Sequence, residues 1–174
     1  NILSRDFTTK SPNEKWLTDV TEFSIPGDSR KLYLSPIMDL YDNSIIEYEL
    51  SFKNNNFFVF KMFDRAIKKY PEARPIFHSD RGFQYTNNTF KNKIDQAGMT
   101  QSMSRVGKCI DNGPIEGFFG ILKTEMFYGK SFKSLEDLKV EIIKYIKFYN
   151  EKRFQKRLGC MAPLEYRNHT PKSA

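Results

Sequence analysis

The sequence predicts an α/β fold with one mixed β-sheet of five strands, flanked by helices and followed by a C-terminal helical extension. Three short segments of strand-like composition follow one another through tight turns, which is typical of an antiparallel meander. Helical and strand patterns then alternate, which indicates one mixed sheet with helices packed on it. With 174 residues, of which 39% are hydrophobic and 15% aromatic, the chain can bury a core and is not intrinsically disordered.

The meander is expected in the first third of the chain. Its strands are predicted over about 16–23, 31–39 and 45–51, where β-branched and aromatic residues are frequent. Pro36 lies inside the second strand, and because proline cannot donate a hydrogen bond to the ladder it indicates a bulge or an edge position. Residues 1–13 are polar and are interpreted as a linker.

Alternating helices and strands are predicted to follow. The expected elements are a helix that starts at the asparagines 54–56 and ends before Pro71, a strand over 73–80, a helix over 86–97 with Gly98 as its C-cap, and a strand over 100–103. In the first of these helices, Phe57, Phe60, Phe63 and Ile67 recur at close to helical spacing.

The last third of the chain is predicted to be helical. A polar loop over 104–113 leads into a helix that has Pro114 in its first turn and runs to about residue 128. A capping box at 134–137 opens a long amphipathic helix. The resulting division is a linker over 1–13, a core over 14–130 and a basic helical extension over 131–174.

The net charge of +7 is concentrated towards the C-terminal end. Residues 1–119 carry 16 basic and 15 acidic side chains, whereas residues 120–174 carry 12 and 6. A basic segment next to a nearly neutral globular part indicates a polyanionic partner, most often nucleic acid. A solvated lysine-rich helix face explains the composition equally well. No segment has the ~20 consecutive apolar residues of a membrane span, and no signal peptide is recognised, so an intracellular protein without a membrane contact is expected.

Three carboxylates occupy positions that are unusual for acidic residues. Asp19 lies inside the first predicted strand, Asp80 at the end of the fourth, and Glu116 in the first turn of the helix after the polar loop. If the first and fourth strands are neighbours, Asp19 and Asp80 converge, and the helix can bring Glu116 to them. Such hard oxygen ligands suit Mg²⁺ or Mn²⁺, and two ions of this kind support phosphodiester chemistry.

Each carboxylate also has a structural interpretation. Glu116 can complement the helix dipole, Asp80 can form an Asx turn before Gly82, and Asp19 can pair with a lysine. Taken alone, any one of the three is more often structural than catalytic. His78, two residues before Asp80, is interpreted as a packed, hydrogen-bonded histidine at the strand end.

Five ordered segments resemble one known family of enzymes. Asp80 and Glu116 are separated by 35 residues, which is the D,D-35-E spacing of retroviral integrases and insertion-sequence transposases. The closest similarity is to the transposases of the IS-three family. The segments that carry this resemblance are 16–21, 78–85, 102–107, 111–125 and 145–166, so that it extends over nearly the whole chain.

The resemblance implies an RNase H-like fold and DNA transposition. In this family, metal-dependent hydrolysis frees a 3′-hydroxyl at the transposon end, and that hydroxyl then attacks the target DNA. Asp19, Asp80 and Glu116 would be the catalytic residues and the ligands of two Mg²⁺ or Mn²⁺ ions when DNA is bound. The implied partners are transposon ends, target DNA and further copies of the chain in the active complex, at the nucleoid in the bacterial cytoplasm.

Several basic and polar residues are candidates for DNA contacts. Lys123 follows Glu116 by seven residues, which is two helical turns, so both lie on one face. Its alternative role is that of an ordinary exposed lysine. Arg81, Arg105 and Lys108 are weaker candidates for phosphate contacts, and Asn112 could contact DNA or cap the helix.

Two departures from the family pattern bear on these expectations. Gly113 and Gly117 flank the start of the Glu116 helix and should loosen it by about 1 kcal/mol for each interior glycine. The family usually has helix-turn-helix segments upstream, so we expect this chain to be a catalytic portion of a longer protein. An RNase H-like nuclease without strand transfer and an inactive DNA-binding remnant are the alternative functions.

Overall fold

The computed structural model describes residues 2–105 and 109–169. Its strands are β1 Lys15–Thr18, β2 Thr21–Phe23, β3 Leu32–Asp39, β4 Ile45–Ser51, β5 Ile76–Ser79 and β6 Thr100–Met103. Its α-helices are α1 Asn56–Lys69, α2 Phe83–Thr86, α3 Asn88–Gln96, α4 Gly113–Leu122, α5 Leu135–Glu151 and α6 Pro163–His169. A π-helical turn follows α4 over Lys123–Phe127, and short 3₁₀ turns occupy Cys109–Asn112 and Lys156–Leu158.

The strands form one mixed sheet, as predicted. β3 lies between β4 and the β1/β2 segments and is antiparallel to all of them. β5 is parallel to β1, and β6 is parallel to β5. The predicted meander is therefore confirmed. The condition for Asp19 and Asp80 to converge is also met, because β1 is paired with β5, which corresponds to the fourth predicted strand. The sheet order from one edge to the other is β4, β3, β1, β5, β6.

The first strand is divided, and the prediction of one continuous strand over 16–23 is wrong. β2 continues the register of β1 along β3, so the two segments form one ladder with a gap at Asp19 and Val20. That gap lies opposite Pro36, which has no N–H to donate. The Asp19 carboxylate also accepts the N–H of Val20 at 2.7 Å, so this group is lost to the ladder. The sheet thus has six strands where five were predicted.

Pro36 does not lie on an edge strand, because β3 is paired on both sides. The predicted irregularity is nevertheless present. The register between β3 and β4 shifts between Ile37 and Met38, immediately after the proline. The Pro36 carbonyl accepts the Thr18 hydroxyl, so its missing N–H faces the gap between β1 and β2, and the register shift lies on the opposite side of β3.

Helices cover both faces of the sheet. Successive residues of a strand point to opposite faces, so Trp16 and Leu17 of β1 belong to two different hydrophobic clusters. The cluster under α1 and α3 includes Trp16, Phe63, Phe77 and Phe90, and the cluster under α4 and α5 includes Leu17, Ile115, Phe118 and Ile142. The α4 helix is thus held against the same strand that precedes Asp19.

The predicted helix caps are present. The side chains of Asn55, Asn87 and Ser134 accept backbone N–H groups at the starts of α1, α3 and α5, at 2.9–3.1 Å. Gly98 ends the third helix with a φ of 66°, a left-handed conformation that glycine adopts without a steric penalty. The helix that begins near Pro114 ends earlier as an α-helix than predicted, because its last turn is π-helical.

The buried face of α1 differs from the predicted spacing. Of the four residues in that spacing, only Phe63 is fully buried, and Phe57 is 73% exposed. The buried residues of α1 are Phe58, Val59, Met62, Phe63 and Ala66. The Asn55 cap sets the start of the helix, and this start rotates Phe57 away from the sheet.

Both ends of the chain pack against the core in the described residues. Leu3 is buried, and the N–H groups of Ile2 and Leu3 donate to Ser102 Oγ of β6 at 3.1 and 3.0 Å. In α6, Arg167 forms ion pairs with Asp39 and Asp42, both of which are fully buried. Across residues 2–105 and 109–169, no helix is long and apolar enough to span a membrane.

Candidate active site

Asp19 and Asp80 lie at the same edge of the sheet. Asp19 follows β1 and Asp80 follows β5, and these strands are parallel neighbours, with Leu17 opposite His78. The carboxyl ends of parallel strands meet at one edge, which is where ligands bind in open α/β sheets. Both aspartates line one open cavity of about 260 Å³.

Glu116 comes to this edge from α4. The helix begins with Gly113 and Pro114, and Glu116 lies in its first turn with its side chain partly exposed. Ile115 and Phe118, both buried, fix the helix against the core. Leu122, two turns further on from Ile115, is also fully buried, so Glu116 lies at the solvent-facing side of a firmly packed helix.

Negative charges at this edge of the sheet raise the pKa of two of the carboxylates, Asp19 and Glu116. Burial raises the pKa of Asp19 to about 7, and the negative charges of Asp80 and Glu116 add to this shift. The Val20 N–H, which donates to Asp19, opposes it. Burial and the charge of Asp80 also raise the pKa of Glu116. In the described residues, none of the three carboxylates forms an ion pair.

A divalent cation fits the chemistry of this donor set. Three carboxylates that repel one another, with no basic partner among the described residues, would be stabilised by a hard cation. Their side chains do not, however, converge on one point: within 2–105 and 109–169, no group of three or more His, Cys, Asp and Glu residues is arranged to hold a metal ion. Mg²⁺ usually takes much of its shell from water and substrate phosphate, which suits ligands that are grouped loosely.

The structural role considered for Asp80 is also present. The N–H of Gly82 donates to Asp80 Oδ1 at 2.9 Å, which is the predicted Asx turn. A Cβ atom at position 82 would approach Asp80 Oδ1 to 3.0 Å and Gln84 Oε1 to 2.8 Å. A glycine at this position therefore allows the carboxylate to fold back onto its own turn.

Lys123 stands at the junction of α4 and the π-helical turn. Its Nζ lies 5.3 Å from the ring centroid of Phe23 in β2. Burial lowers its pKa, and the nearby Glu22 opposes that shift. The lysine is therefore partly buried on an aromatic ring, and it is not the freely exposed side chain that the alternative interpretation described.

The remaining candidates for DNA contacts are in different environments. Arg81 donates from Nε to the Ser104 carbonyl at 3.0 Å. The Arg105 backbone N–H and guanidinium donate to the buried Asp111 carboxylate at 2.8–3.1 Å. Lys108 lies outside the described residues. Arg81 and Arg105 thus flank the polar loop as part of its hydrogen-bond network, and their predicted contacts with DNA stay predictions.

Asn112 is buried, and it occupies the N-cap position of α4 without capping the helix through its side chain. Its side chain is 1% exposed, and its amide donates to the backbone carbonyl of Thr18 at 3.2 Å. No hydrogen bond from its side chain to the start of α4 is present. Its Oδ1 atom is buried and has no hydrogen-bond partner among residues 2–105 and 109–169. Asn112 therefore connects the residue before Asp19 to the helix that bears Glu116.

His78 has the packed role that the sequence predicted. It is fully buried, with Nδ1 2.9 Å from Ser102 Oγ and Nε2 3.2 Å from Ser104 Oγ. Burial lowers its pKa to about 4, so the ring is neutral near pH 7. The histidine fixes β5 to β6 directly below Asp80.

Two aromatic residues of the site were not identified from the sequence. Phe83 is 54% exposed on the wall of the cavity that contains Asp19 and Asp80. Tyr85 is buried behind it, with its hydroxyl 3.3 Å from Thr18 Oγ1. The signal for Phe83 was an aromatic residue directly after Asp80-Arg81-Gly82, where the other residues are polar or glycine.

Comparisons with known proteins agree with the resemblance found in the sequence. Family models described as the integrase core domain match residues 9–109 and 116–170. The chain is 47% identical over 171 residues to a putative transposase of insertion sequence element IS150 from Escherichia coli, covering 98% of this chain and 60% of that protein. It is 45% identical to a transposase-like protein from Haemophilus influenzae, covering 98% and 78%.

Solved structures show the same fold. The HTLV-2 integrase catalytic core domain in complex with magnesium matches with a TM-score of 0.68 at 18% identity, over 90% of this chain and 97% of that one. A chain of the simian T-cell lymphotropic virus intasome matches with a TM-score of 0.76 at 16% identity, over 94% and 57%. The RNase H-like prediction is thus confirmed, and the chain belongs to the integrase core domain family as a catalytic domain of the transposase and integrase type.

Proposed function

We propose that this chain carries out the DNA cleavage and strand-transfer steps of an insertion-sequence transposase, with Asp19, Asp80 and Glu116 as its catalytic, metal-binding residues. The observation that supports this most directly is electrostatic. At the carboxyl edge of a parallel strand pair, the charges of Asp80 and Glu116 help to raise the pKa of Asp19, and the charge of Asp80 helps to raise the pKa of Glu116. Together with family membership, this favours an intact catalytic set over an inactive remnant.

The three carboxylates are held by three different elements of the fold. Asp19 and Asp80 extend from the ends of two hydrogen-bonded strands, so their separation is fixed by the sheet. Glu116 extends from a helix whose first turn is anchored by buried Ile115. The chemistry that two bound Mg²⁺ or Mn²⁺ ions supply at such sites is activation of the attacking oxygen and stabilisation of the leaving oxygen.

The proposed substrate is DNA, as transposon ends and as target. Lys123, which lies beyond Glu116 on the same helix, is proposed to contact a phosphate next to the carboxylates. Arg81 and Arg105 are proposed to contact phosphates from the other side, near the polar loop. The relatives are named as transposases of insertion sequences, and the viral neighbours are an intasome and dimeric or trimeric cores. An oligomer of this chain in the active complex is part of the proposal.

The curated relatives are longer than this chain, which spans 60% of the Escherichia coli protein and 78% of the one from Haemophilus influenzae. The decisive assay therefore uses the complete protein. It combines labelled oligonucleotides that carry the ends of the encoding element, a target duplex and Mn²⁺, and compares wild type with Glu116→Gln. Glu141→Gln is the control, because Glu141 is paired with Lys144 on the surface of α5.

Three outcomes separate the candidate functions. Joined products that are lost in Glu116→Gln and kept in Glu141→Gln support the transposase. Cleavage without joining supports the alternative RNase H-like nuclease. DNA binding without any metal-dependent product, in wild type and in both variants, supports the inactive remnant and overturns the proposal.

A further inference from the structure

The cavity that contains Asp19 and Asp80 has a third carboxylate, Glu22, in its lining, but its wall is not only acidic. The rest of its wall includes the aromatic residues Tyr33 and Phe83 and the amides of Asn54 and Gln84. Carboxylates and carboxamides also serve metal ions and phosphates, but aromatic rings contribute nothing to the binding of either. Aromatic faces and amide groups are the features with which proteins hold an unpaired nucleobase.

Phe83 is the most unusual residue of this wall. Its side chain is 54% exposed, and it has no aromatic neighbour within the described residues, where most other phenylalanines have one. Single exposed hydrophobic residues are common on protein surfaces. The position of this one is what matters, because it shares a cavity of about 260 Å³ with two of the proposed catalytic carboxylates.

The backbone under Phe83 is held rigidly. Phe83 opens α2, and the next two residues, Gln84 and Tyr85, are 4% and 1% exposed. The Gln84 amide donates to Asn54 Oδ1, which ties α2 to the segment before α1. An exposed ring on a fixed backbone loses little conformational freedom when a flat ligand stacks on it.

The Asn54 amide can supply polarity on the same wall. Its oxygen is occupied by Gln84, and for its N–H groups no hydrogen bond is present in the part of the chain that the structure describes. Asn54 is exposed, so these donors are accessible to a ligand in the cavity. A base edge or a sugar oxygen beside the ring would satisfy them.

We infer that this cavity is a subsite for one unstacked nucleobase of the DNA strand next to the scissile phosphate, with Phe83 as the stacking platform. The inference rests on the proposed function, because a phosphate held through metal ions at Asp19 and Asp80 would bring its neighbouring nucleoside to the wall that both aspartates share. Stacking on one face is tolerant of base identity, so the subsite positions the strand and does not select a sequence.

A protein–DNA double-mutant cycle tests this subsite. In the complete protein, binding of fluorescein-labelled oligonucleotides is measured by anisotropy. Each oligonucleotide lacks one base at a different position around the scissile phosphate. The proteins are wild type, Phe83→Ala, Phe83→Trp and the control Phe57→Ala, which removes an even more exposed ring from α1 outside this cavity.

The expected result is specific to one position. Loss of one base next to the scissile phosphate weakens binding to wild type by about 5- to 10-fold, within the range for base–aromatic stacking. Phe83→Ala weakens binding to intact DNA by the same factor, and its affinity for that abasic DNA is no lower than its affinity for intact DNA. Phe83→Trp retains the binding of wild type, and Phe57→Ala is unchanged.

The inference is overturned if Phe83→Ala and the loss of the base weaken binding independently of each other. It is also overturned if the loss of a base weakens binding equally at every position. A phosphate contact in the cavity would give the second pattern. Circular dichroism and thermal melting show whether Phe83→Ala is folded, and Phe83→Trp keeps the test valid if it is not. Because binding is measured without turnover, the coupling is observed even if Glu116→Gln proves as active as wild type. If Glu116→Gln loses joining but Phe83→Ala shows no coupling to any abasic position, the proposed function is supported and only the subsite is refuted.

Discussion

At the scale of single residues, Asp19 has an electrostatic penalty in the folded state. Its pKa is about 7, far above the ordinary value of 3.8, because of burial and the charges of Asp80 and Glu116. A carboxyl whose folded pKa is raised contributes fully to stability below its unfolded pKa, and this contribution is lost as the pH rises through the folded pKa. The penalty therefore develops between about pH 4 and pH 7.

The first prediction concerns Asp19→Asn in the absence of divalent cations. At pH 8 this variant should have a free energy of unfolding about 2 kcal/mol above that of wild type, roughly half the full linkage energy because the side chain is partly solvated. At pH 4 the difference should vanish, since the wild-type carboxyl is then protonated. Urea denaturation in EDTA at pH 4, 6 and 8 measures it.

Metal binding provides the companion measurement. Mg²⁺ or Mn²⁺ at pH 8 should raise the melting temperature of wild type, because a ligand that binds only the folded state stabilises it. The rise should be much smaller for Asp19→Asn, which lacks one oxygen donor and one charge. Asparagine keeps an oxygen that can accept the Val20 N–H, so a variant that is less stable than wild type at pH 8 in EDTA would contradict the electrostatic penalty.

At the scale of elements, the site depends on how α4 is attached to β1. The sequence suggested that Asn112 contacts DNA or caps the helix. In the structure, its buried amide donates to the carbonyl of Thr18, the residue immediately before Asp19. Asn112 itself lies one helical turn before Glu116. This hydrogen bond thus connects the two elements that carry two of the carboxylates, next to the apolar cluster that holds α4 against the sheet.

We predict that Asn112→Ala impairs catalysis more than stability. Loss of one buried hydrogen bond should cost about 1 kcal/mol in the free energy of unfolding. The rate of strand transfer should fall about 10-fold or more, because small misplacements of catalytic groups have large kinetic effects. DNA affinity should stay unchanged, which distinguishes this role from a direct DNA contact. Denaturation, anisotropy and single-turnover kinetics provide the three readouts.

Asn150→Ala is the matched control. The Asn150 side chain also connects a helix to a strand, with hydrogen bonds of 2.9 Å to the N–H and carbonyl of Ile45. Its removal should reduce stability at least as much as Asn112→Ala and should leave the rate unchanged. Equal rates in both variants would contradict a positioning role for Asn112, and weaker DNA binding by Asn112→Ala alone would support the contact suggested by the sequence.

The accuracy of the sequence prediction depended on whether each feature is determined locally. The strands 45–51 and 100–103 and the caps Asn87 and Ser134 follow from neighbouring residues, and all are present. The break at Asp19 was missed, because it depends on Pro36 across the ladder. The π-helical turn was missed too, and the Glu125 side chain within it is bonded to Tyr145 and Arg153 of the α5 region.

The same distinction applies to the candidate site. Asp19, Asp80 and Glu116 could be selected from spacing and family resemblance, and the structure brings Asp19 and Asp80 to one cavity. The environments of Asn112 and Phe83 could not be predicted, because each depends on a segment distant in sequence. For Asn112 this segment is the end of β1, and for Phe83 it is the loop that contains Asn54.

At the scale of the whole molecule, the basic C-terminal part is both a charged surface and a structural component. Three of its arginines are used inside the fold. Arg153 pairs with Glu125, Arg157 donates to the Leu40 carbonyl, and Arg167 pairs with buried aspartates. The lysines of α5 stay mostly on the surface, with Lys144 and Lys147 exposed. The charge excess that predicted a polyanionic partner therefore overstates the charge available to bind one.

The last prediction is that residues 131–169 unfold together with the rest of the chain. Arg167 lies against Asp39 and Asp42, both 0% exposed, at the end of β3 and in the turn after it. Arg167→Met removes the cation and leaves two carboxylates buried without it, which should cost about 3–5 kcal/mol in the free energy of unfolding. Arg30→Met is the control, because Arg30 pairs with Asp28 and Glu136 at the surface, where such pairs contribute less than about 1 kcal/mol.

Urea denaturation followed by tryptophan fluorescence from Trp16 and by circular dichroism should give one coincident transition for wild type and a shifted, still single one for Arg167→Met. Two separate transitions would show that the extension is an independent unit, and the division at residue 130 that the sequence suggested would then be a true domain boundary.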